Sequence, residues 1–227
     1  MTIYDQKFFR NSFTKKQQEK IRKTTFAIVG IGGTGGFILE NLLRMGAENL
    51  IIFDYDSFDL SNFNRQLLAT DDYLDVPKVH AAIVRAQSIN KKVSIKSRDK
   101  FYSHSDIENA TILMDGADNV KTKIAMAAAA KSKKIPYVFC SANESRGIVS
   151  VFAGYNFTKA FQLPKDEKLL EKYSVCASVI CPSTALAGTL AASQAINYII
   201  GKPYIKAPEA LFFDLFRKDL FWRSKLG

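Results

Sequence analysis

The sequence predicts an α/β fold in which a doubly wound, mostly parallel sheet carries an antiparallel C-terminal part. Short apolar runs alternate along the chain with segments of helical apolar spacing, an order typical of parallel strands joined by helices. A glycine-rich turn between the first such run and the first such helix is typical of the same architecture. The last apolar segment, residues 211–222, instead alternates apolar and polar residues, which predicts antiparallel pairing with residues 147–152.

The glycine-rich turn predicts a phosphate site. Residues 27–29 form a short apolar run that stops at the sequence GIGGTG, residues 30–35, and helical spacing begins at Phe37. Glycines let the backbone turn sharply, and the N–H groups that open a helix favour an anion. Residues 50–53 predict a second parallel strand, and Asp54 follows it about 20 residues past the glycines, where such folds hold a ribose hydroxyl. The expected nucleotide contacts are Gly30, Gly32, Gly33, Gly35 and Asp54. By spacing alone, NAD fits this motif as well as ATP.

A polar loop, residues 56–66, follows the second strand. Ligands of open α/β sheets bind beyond the carboxyl ends of the strands, so this loop is expected to meet the phosphates through Asn62, Arg65 and Gln66. Lys78 begins a helix with apolar positions at 79–86. A lysine opposes the dipole at a helix N-terminus, and an anion between the two would relieve that cost. Lys78 is therefore expected to point toward the phosphates.

A buried strand, residues 110–114, ends in two carboxylates, Asp115 and Asp118. Oxygen ligands beside a polyphosphate are what Mg²⁺ takes, and Asp118 is the better candidate because it lies farther along the loop. Asp115 could instead cap the turn. Residues 120–133 then predict an alanine-rich helix, and residues 183–200 predict a second buried helix.

Composition limits the class of protein. The chain has 227 residues, of which 47% are hydrophobic, enough to bury the core of one large α/β domain. Its 32 lysines and arginines against 22 aspartates and glutamates give a net charge of +10, which favours an acidic partner or a polyanion without requiring a nucleic acid. No signal-peptide pattern opens the chain, and polar residues interrupt its longest apolar tract. We therefore expect a soluble, cytoplasmic protein with no membrane segment.

Two segments have less regular sequences. Residues 1–25 carry three phenylalanines before a predicted helix capped by Thr14, and this arm either docks on a partner or covers its own fold. Residues 156–182 are charged and irregular, and we expect a mobile crossover loop there. The three cysteines, Cys140, Cys176 and Cys181, form no C-x-x-C pair. A four-cysteine zinc site is excluded by count, so no zinc is expected.

The charged residues favour ATP over NAD. Arg65, Lys78 and Asp118 converge on the glycine turn by topology. Two cations and a carboxylate suit a triphosphate better than a dinucleotide, whose diphosphate is usually held by backbone N–H groups. The only histidines, His80 and His104, lie at no obvious catalytic position for hydride transfer.

These motifs together resemble a known family. In chain order they are Gly30-x-Gly32-Gly33-x-Gly35, Asp54-x-Asp56, Asn62-x-x-Arg65-Gln66, Pro77-Lys78 and Asp118-Asn119. Their order and spacing closely resemble the adenylyltransferases that activate ubiquitin-like and sulfur-carrier proteins, as in molybdopterin and thiamine biosynthesis. The resemblance implies a Rossmann-like fold, usually in a homodimer, and a single adenylation domain over residues 1–227. It also implies that Mg-ATP adenylates the C-terminal glycine of a small β-grasp protein ending in Gly-Gly, with release of pyrophosphate.

The resemblance also implies roles for individual residues. Asp54 would hold the ribose, Asp56 of the same motif would belong to the nucleotide-binding site, and Asp118 would bind Mg²⁺. The residues that would contact phosphates or stabilise charge on the α-phosphate are Asn62, Arg65, Gln66 and Lys78. Residues 7–10 resemble the family's Arg-Tyr-x-Arg arm, which makes Arg10 an arginine finger lent to the neighbouring subunit.

The sequence departs from the family in its cysteines. Many members bind zinc through two C-x-x-C pairs, which are absent here, so any rigidity that zinc supplies must come from packing. Some members use a cysteine before the last long helix to take the acyl group or sulfur. Cys176 falls near that point, and Cys181 is the alternative candidate for this role. No sulfur-handling extension follows Trp222, so adenylation is better supported than transfer.

Three alternatives remain open. An ATP-dependent tRNA-base dehydratase of the same fold would use the net charge of +10, although the C-terminal sequence resembles the carrier-protein branch more. A non-catalytic subunit that binds nucleotide and scaffolds a partner would have no need to keep Arg10, Arg65, Lys78 and Asp118. An NAD dehydrogenase is the least favoured.

Overall fold

The computed structural model describes residues 3–98, 105–164, 166, 170 and 178–227. The strands within these ranges are β1 (Thr25–Val29), β2 (Asn49–Phe53), β3 (Ser94–Arg98), β4 (Ile112–Asp115), β5 (Tyr137–Asn143), β6 (Arg146–Phe152), β7 (Glu209–Asp214) and β8 (Phe221–Lys225). They form one sheet in the order β3-β2-β1-β4-β5-β6-β7-β8. The helices of four or more residues that the structure describes in full are α1 (Ile3–Phe8), α2 (Lys15–Lys23), α3 (Gly33–Arg44), α4 (Lys78–Ile89), α5 (Val120–Lys133), α6 (Phe157–Ala160) and α7 (Cys181–Ile200).

The sheet is parallel from β3 to β5 and antiparallel from β5 to β8. This arrangement confirms the predicted fold class. It also brings the carboxyl ends of β1, β2, β4 and β5 to one edge of the sheet, where parallel α/β folds bind ligands.

Helices cover both faces of the parallel strands. Side chains alternate along β1, so that Phe26 and Ile28 pack toward α3, α4 and α7, whereas Ala27 and Val29 pack toward α5 and α6. Burial on both faces explains why these strands read as continuous apolar runs. None of the helices that the structure describes combines the length and apolar character needed to cross a membrane.

The C-terminal segment is a hairpin rather than one strand. The predicted antiparallel pairing with residues 147–152 is confirmed, since Leu211 of β7 faces Val149 of β6. Residues 215–220, however, leave the sheet as a turn before β8. The Asp214 carboxylate stabilises this turn, because it accepts the N–H of Phe216 at 3.1 Å and the hydroxyl of Ser145 at 2.7 Å.

The segments of irregular sequence are partly regular in the structure. Thr14 caps α2 in a capping box with Gln17, as the sequence predicts. The predicted crossover loop, residues 156–182, contains α6, and the rings of Phe157 and Phe161 pack against Phe139 and Phe152. Its last two residues belong to α7, which begins at Cys181 because a proline is well tolerated in the first helical turn. Residues 165, 167–169 and 171–177 lie outside the described residues.

Candidate active site

A cavity of about 1000 Å³ lies at the carboxyl ends of the parallel strands. Its walls come from the glycine turn after β1, the polar loop after β2, the loop after β4 and the end of β5. Most of the residues predicted for the site meet there. Those that line the cavity are Gly30, Gly32, Gly33, Asp54, Asp56, Arg65, Gln66, Lys78 and Asp118.

The glycines of the turn have two different roles. Gly30 has a φ of +86°, and an added Cβ would collide with the carbonyl oxygen of Gly116. A Cβ on Gly35 would collide with the carbonyl oxygen of Gly30, and Gly35 itself does not line the cavity. Gly32, by contrast, is the N-cap of α3 and faces the cavity, with no side chain capping the helix. The first turn of α3 therefore opens toward the cavity with backbone N–H groups suited to an anion.

Asp54 joins the end of β2 to the glycine turn. Its Oδ2 accepts the N–H of Ile31 at 2.7 Å, and its Oδ1 accepts the N–H of Asp56 at 2.9 Å. Burial raises the pKa of Asp54, and these two N–H groups together with the nearby charge of Lys78 oppose that rise. Carboxylate oxygens carry further lone pairs, so Asp54 can still accept a hydrogen bond from a hydroxyl of a ligand.

Lys78 is a buried cation at the start of α4. Its side chain is only 7% exposed, and its Nζ lies 3.1 Å from Oδ2 of Asp56 and 5.9 Å from the ring centroid of Phe58. A buried ammonium needs such partners, since desolvation of an unpaired charge is costly. Asp56 is half exposed, and its negative charge would repel a phosphate rather than bind one. The geometry therefore makes Asp56 the residue that holds Lys78 in place.

The polar loop after β2 presents Arg65 and Gln66. A 3₁₀ turn, Leu60–Asn62, is capped by Asp59, and the Arg65 carbonyl accepts the hydroxyl of Thr184 on α7 at 3.1 Å. The Arg65 guanidinium donates through Nη1 to the Ser61 carbonyl and to Asn64, both at 2.8 Å. A guanidinium has five N–H donors, so others stay available to a ligand.

Two buried amides in this loop differ in position. Gln66 lies beside Gly32 in the cavity wall, and its Oε1 has no hydrogen-bond partner among the described residues. Asn62 is also buried with an unpartnered Oδ1, but it does not line the cavity. Of the two, only Gln66 is placed to meet a ligand in the cavity.

The two carboxylates after β4 differ in their surroundings. Asp115 is fully buried, and its Oδ1 accepts the N–H of Ala117 at 3.1 Å, which caps the turn. Asp118 is exposed at the cavity wall, where its carboxylate accepts a 3.3 Å hydrogen bond from the Asn119 amide. Among the described residues no group of three or more His, Cys, Asp or Glu side chains could hold a metal by itself. One carboxylate completed by phosphate oxygens and water is, however, a donor set that suits Mg²⁺.

Several cavity residues were not predicted from the sequence. Lys123 of α5 lines the cavity while it pairs with Asp115, and Tyr55, Phe139 and Phe161 extend the wall. The sequence does contain a pattern that indicates burial of Lys123, since this residue falls on the apolar face of α5 with Met126 and Ala130. No sequence pattern indicates that Phe139 and Phe161 line the cavity, because their position depends on how α6 packs against β5.

The remaining predicted residues lie outside the cavity of their own chain or outside the described residues. Arg10 is exposed and does not line the cavity. Cys176 and His104 are among the residues that the structure does not describe. Cys181 is partly exposed, whereas Cys140 is buried with its Sγ 3.0 Å from the carbonyl oxygen of Asp115.

Two relatives of named activity are similar to this chain in sequence. A molybdopterin-synthase adenylyltransferase of Haemophilus influenzae is 29% identical over 202 residues, which cover 86% of this chain and 82% of that protein. A ubiquitin-like modifier-activating enzyme 5 of Drosophila pseudoobscura pseudoobscura is 30% identical over 212 residues, which cover 82% of this chain and 53% of that protein. The chain thus spans about half the length of the second relative.

Two crystal structures share the fold. PaaA superposes with a TM-score of 0.76 at 22% identity, covering 92% of this chain and 66% of that chain. Escherichia coli MccB, in a structure with ATP, superposes with a TM-score of 0.76 at 17% identity, covering 93% and 66%. The sequence itself matches the ThiF family over residues 4–226, and the chain therefore belongs to that family.

Proposed function

We propose that this protein is an adenylyltransferase that uses ATP to activate the C-terminal carboxylate of a small ubiquitin-like or sulfur-carrier protein. The observation that carries the proposal is the meeting of Arg65, Lys78 and Asp118 around the open N-terminus of α3 in one cavity. Two cations and one exposed carboxylate suit a triphosphate with its metal ion. Family membership and the names of the relatives support the same reaction.

In the proposed reaction a carboxylate oxygen of the carrier protein attacks the α-phosphorus of ATP. A bond forms between that oxygen and phosphorus, the bond from phosphorus to the oxygen bridging the α- and β-phosphates breaks, and pyrophosphate leaves. This step brings anions together, so fixed positive charge that meets the developing charge is the main source of acceleration. Mg²⁺, when bound, would neutralise part of the phosphate charge.

In this proposal, residues of this chain bind the nucleotide and the metal ion. The backbone of the glycine turn cradles phosphates, and Asp54 accepts a ribose hydroxyl. Arg65 and Lys78 contact the phosphates, with Lys78 held by Asp56 at 3.1 Å. Gln66 contacts the nucleotide from the cavity wall, and Asp118 holds the metal ion. Asn62, which lies behind the cavity wall, supports the loop that carries Arg65.

Arg10 takes part from a second subunit in this proposal. It is exposed on its own chain and lies outside that chain's cavity, as an arginine lent to a neighbour must be. The protein would then act as a homodimer of single adenylation domains, residues 1–227. Cys176 would take the activated acyl group or sulfur only if transfer follows adenylation.

Pyrophosphate exchange tests the proposal directly. Purified protein is incubated with Mg-ATP, labelled pyrophosphate and each small β-grasp protein ending in Gly-Gly that the same genome encodes. Label should enter ATP with at least one of these carriers, and removal of its last two glycines should abolish the exchange. Binding of ATP without exchange in the presence of every such carrier would instead favour a non-catalytic subunit.

The net charge of +10 supports a second candidate, an ATP-dependent dehydratase of a tRNA base. Such an enzyme binds its polyanionic substrate with a strong dependence on salt concentration. Filter binding of total tRNA separates the two functions. Tight binding that weakens as salt rises favours the dehydratase, and weak binding together with carrier-dependent exchange favours the adenylyltransferase.

A further inference from the structure

A buried ion pair lies directly beneath the loop that carries Asp118. Lys123 Nζ is 2.9 and 3.0 Å from the two carboxylate oxygens of Asp115 and 3.1 Å from the carbonyl oxygen of Cys140. An ammonium group has three protons, and these three acceptors take all of them. Lys123 therefore lines the cavity without a proton to give to a ligand. Its effect on the site must pass through other residues.

The pair connects three elements at the floor of the site. Asp115 ends β4, Cys140 lies on β5 and Lys123 lies at the end of the first turn of α5. The Asp115 carboxylate also accepts the hydroxyl of Tyr137 at 2.6 Å. The side chains of Asp115 and Lys123 are 0% and 7% exposed, so their contacts are screened little by water.

The loop from Gly116 to Asp118 is fixed at both of its ends. At one end Asp115 accepts the N–H of Ala117 at 3.1 Å. At the other, Asn119 caps α5 by accepting the N–H of Thr122 at 2.9 Å. Lys123 follows immediately and ties that first part of α5 back to Asp115. Asp118 is thus the exposed member of a short loop whose two ends are joined by one buried ion pair.

We propose that the Asp115–Lys123 pair is a positioning device that holds Asp118 where it can bind the metal ion of Mg-ATP. The inference rests on the proposed function, because it concerns the same nucleotide site. A buried pair of this kind is often no more stabilising than apolar residues of similar size. Its presence beneath the loop is therefore better explained by the placement of Asp118 than by stability. Lys123 is a positioning residue in this account, and Asp118 is the only one of these three residues that would contact the metal ion.

The test compares nucleotide binding with and without metal. Calorimetry measures the Kd of α,β-methylene ATP, which resists cleavage at the reacting bond, first in Mg²⁺ and then in EDTA. The double variant Asp115→Asn/Lys123→Gln removes both charges and keeps side chains of similar size. Its gain in affinity from Mg²⁺ should fall roughly tenfold relative to wild type, as for other residues that orient a metal ligand. Its Kd in EDTA should change by less than about twofold, and Asp118→Asn should show the same pattern.

Two further variants make the test specific. Glu40→Gln/Arg85→Gln neutralises an ion pair between α3 and α4 that does not line the cavity, and it should keep the full Mg²⁺ gain. Tyr137→Phe removes one hydrogen bond from Asp115 while the ion pair stays, and it replaces the double variant if that protein does not fold. It should reduce the Mg²⁺ gain by a smaller factor in the same direction.

The outcomes separate this inference from the proposed function. An unchanged Mg²⁺ gain in the Asp115, Lys123 and Tyr137 variants would overturn the inference and leave the function standing. An equal rise of Kd in Mg²⁺ and in EDTA would also overturn it, because general damage to the site would then explain the loss. If wild-type protein binds the analogue no better with Mg²⁺ than without it, both the proposed function and the inference fail.

Discussion

The Asp54 carboxylate accepts the backbone N–H of Ile31 at 2.7 Å, so the acid that we propose as the ribose ligand also fixes the shape of the glycine turn. Its other oxygen accepts the N–H of Asp56, the residue that holds Lys78. One side chain therefore connects the glycine turn, the end of β2 and a cation of the site. A substitution there should alter the whole cradle as well as one ligand contact.

Nucleotide affinity should depend on the protonation of Asp54. Burial raises the pKa of this residue, so its carboxylate takes up a proton at a higher pH than an exposed aspartate does. Protonation removes the charge that strengthens a hydrogen bond from the ribose. Because the analogue's phosphates also titrate, the informative quantity is the ratio of wild-type to Asp54→Asn affinity for α,β-methylene ATP. Because the pKa of Asp54 is raised, this ratio should fall as the pH is lowered toward the ordinary aspartate pKa of about 4, and a constant ratio would contradict the role of Asp54.

Close packing of the glycine turn predicts a large effect of Gly35→Ala. The new Cβ would collide with the carbonyl oxygen of Gly30, whereas the Cβ of Gly36→Ala would meet Leu67 at an ordinary 3.6 Å. Overpacking of this kind costs about 1–3 kcal/mol of the free energy of unfolding. Urea denaturation should show that loss for Gly35→Ala only. Equal stability of the two variants would mean that the turn is looser than described.

Lys78→Met should weaken triphosphate binding. The side chain is buried in the cavity wall beside Asp56, so its charge meets a bound phosphate with little screening. Loss of a hydrogen bond to a charged group should cost about 1.5–3 kcal/mol, or more than roughly tenfold in Kd. Lys131→Met, at an exposed position of α5, serves as the matched control and should bind as wild type does. If both variants bind the analogue equally well, Lys78 does not contact phosphates.

The native protein should protect Cys140 from alkylation. Burial, with the nearby charge of Asp115, raises the pKa of the Cys140 thiol to about 12, and thiolate is the reactive form. Peptide mass spectrometry after brief treatment with iodoacetamide should find Cys181 labelled ahead of Cys140. Comparable labelling of Cys140 would show that the floor of the site opens in solution. Protection would restrict any covalent intermediate to Cys176 or Cys181.

Local sequence patterns were sufficient for the parallel half of the fold. The strand that ends at Val29 and the helix that begins near the glycines were predicted because apolar period and turn chemistry agree there. Residues 120–133 were predicted with the bounds that the structure has, since Asn119 caps a run of strong helix formers. The hairpin was missed, and one of the contacts that hold its turn, from the Ser145 hydroxyl to the Asp214 carboxylate, comes from a residue far away in sequence.

In the candidate site, too, some features were predictable from local sequence patterns and others were not. Asp54, Arg65, Lys78 and Asp118 follow strands or open helices, so topology alone brings them to one cavity. The partner of a side chain depends on packing that no local pattern encodes. For this reason the pairing of Asp56 with Lys78 was not predicted, and neither was that of Asp115 with Lys123. The roles of these residues stay predictions, as do those of Arg10 and Cys176.

The central claim is that fixed positive charge and a metal ion gather three phosphoryl groups above the glycine turn. The most direct test is the rate of carrier-dependent pyrophosphate exchange in Arg65→Gln and Asp118→Asn, with Lys131→Met as control. Removal of one group that stabilises the transition state typically lowers the rate by roughly 100-fold or more, and we expect at least that loss in both variants. Exchange at the wild-type rate in either variant would contradict the account.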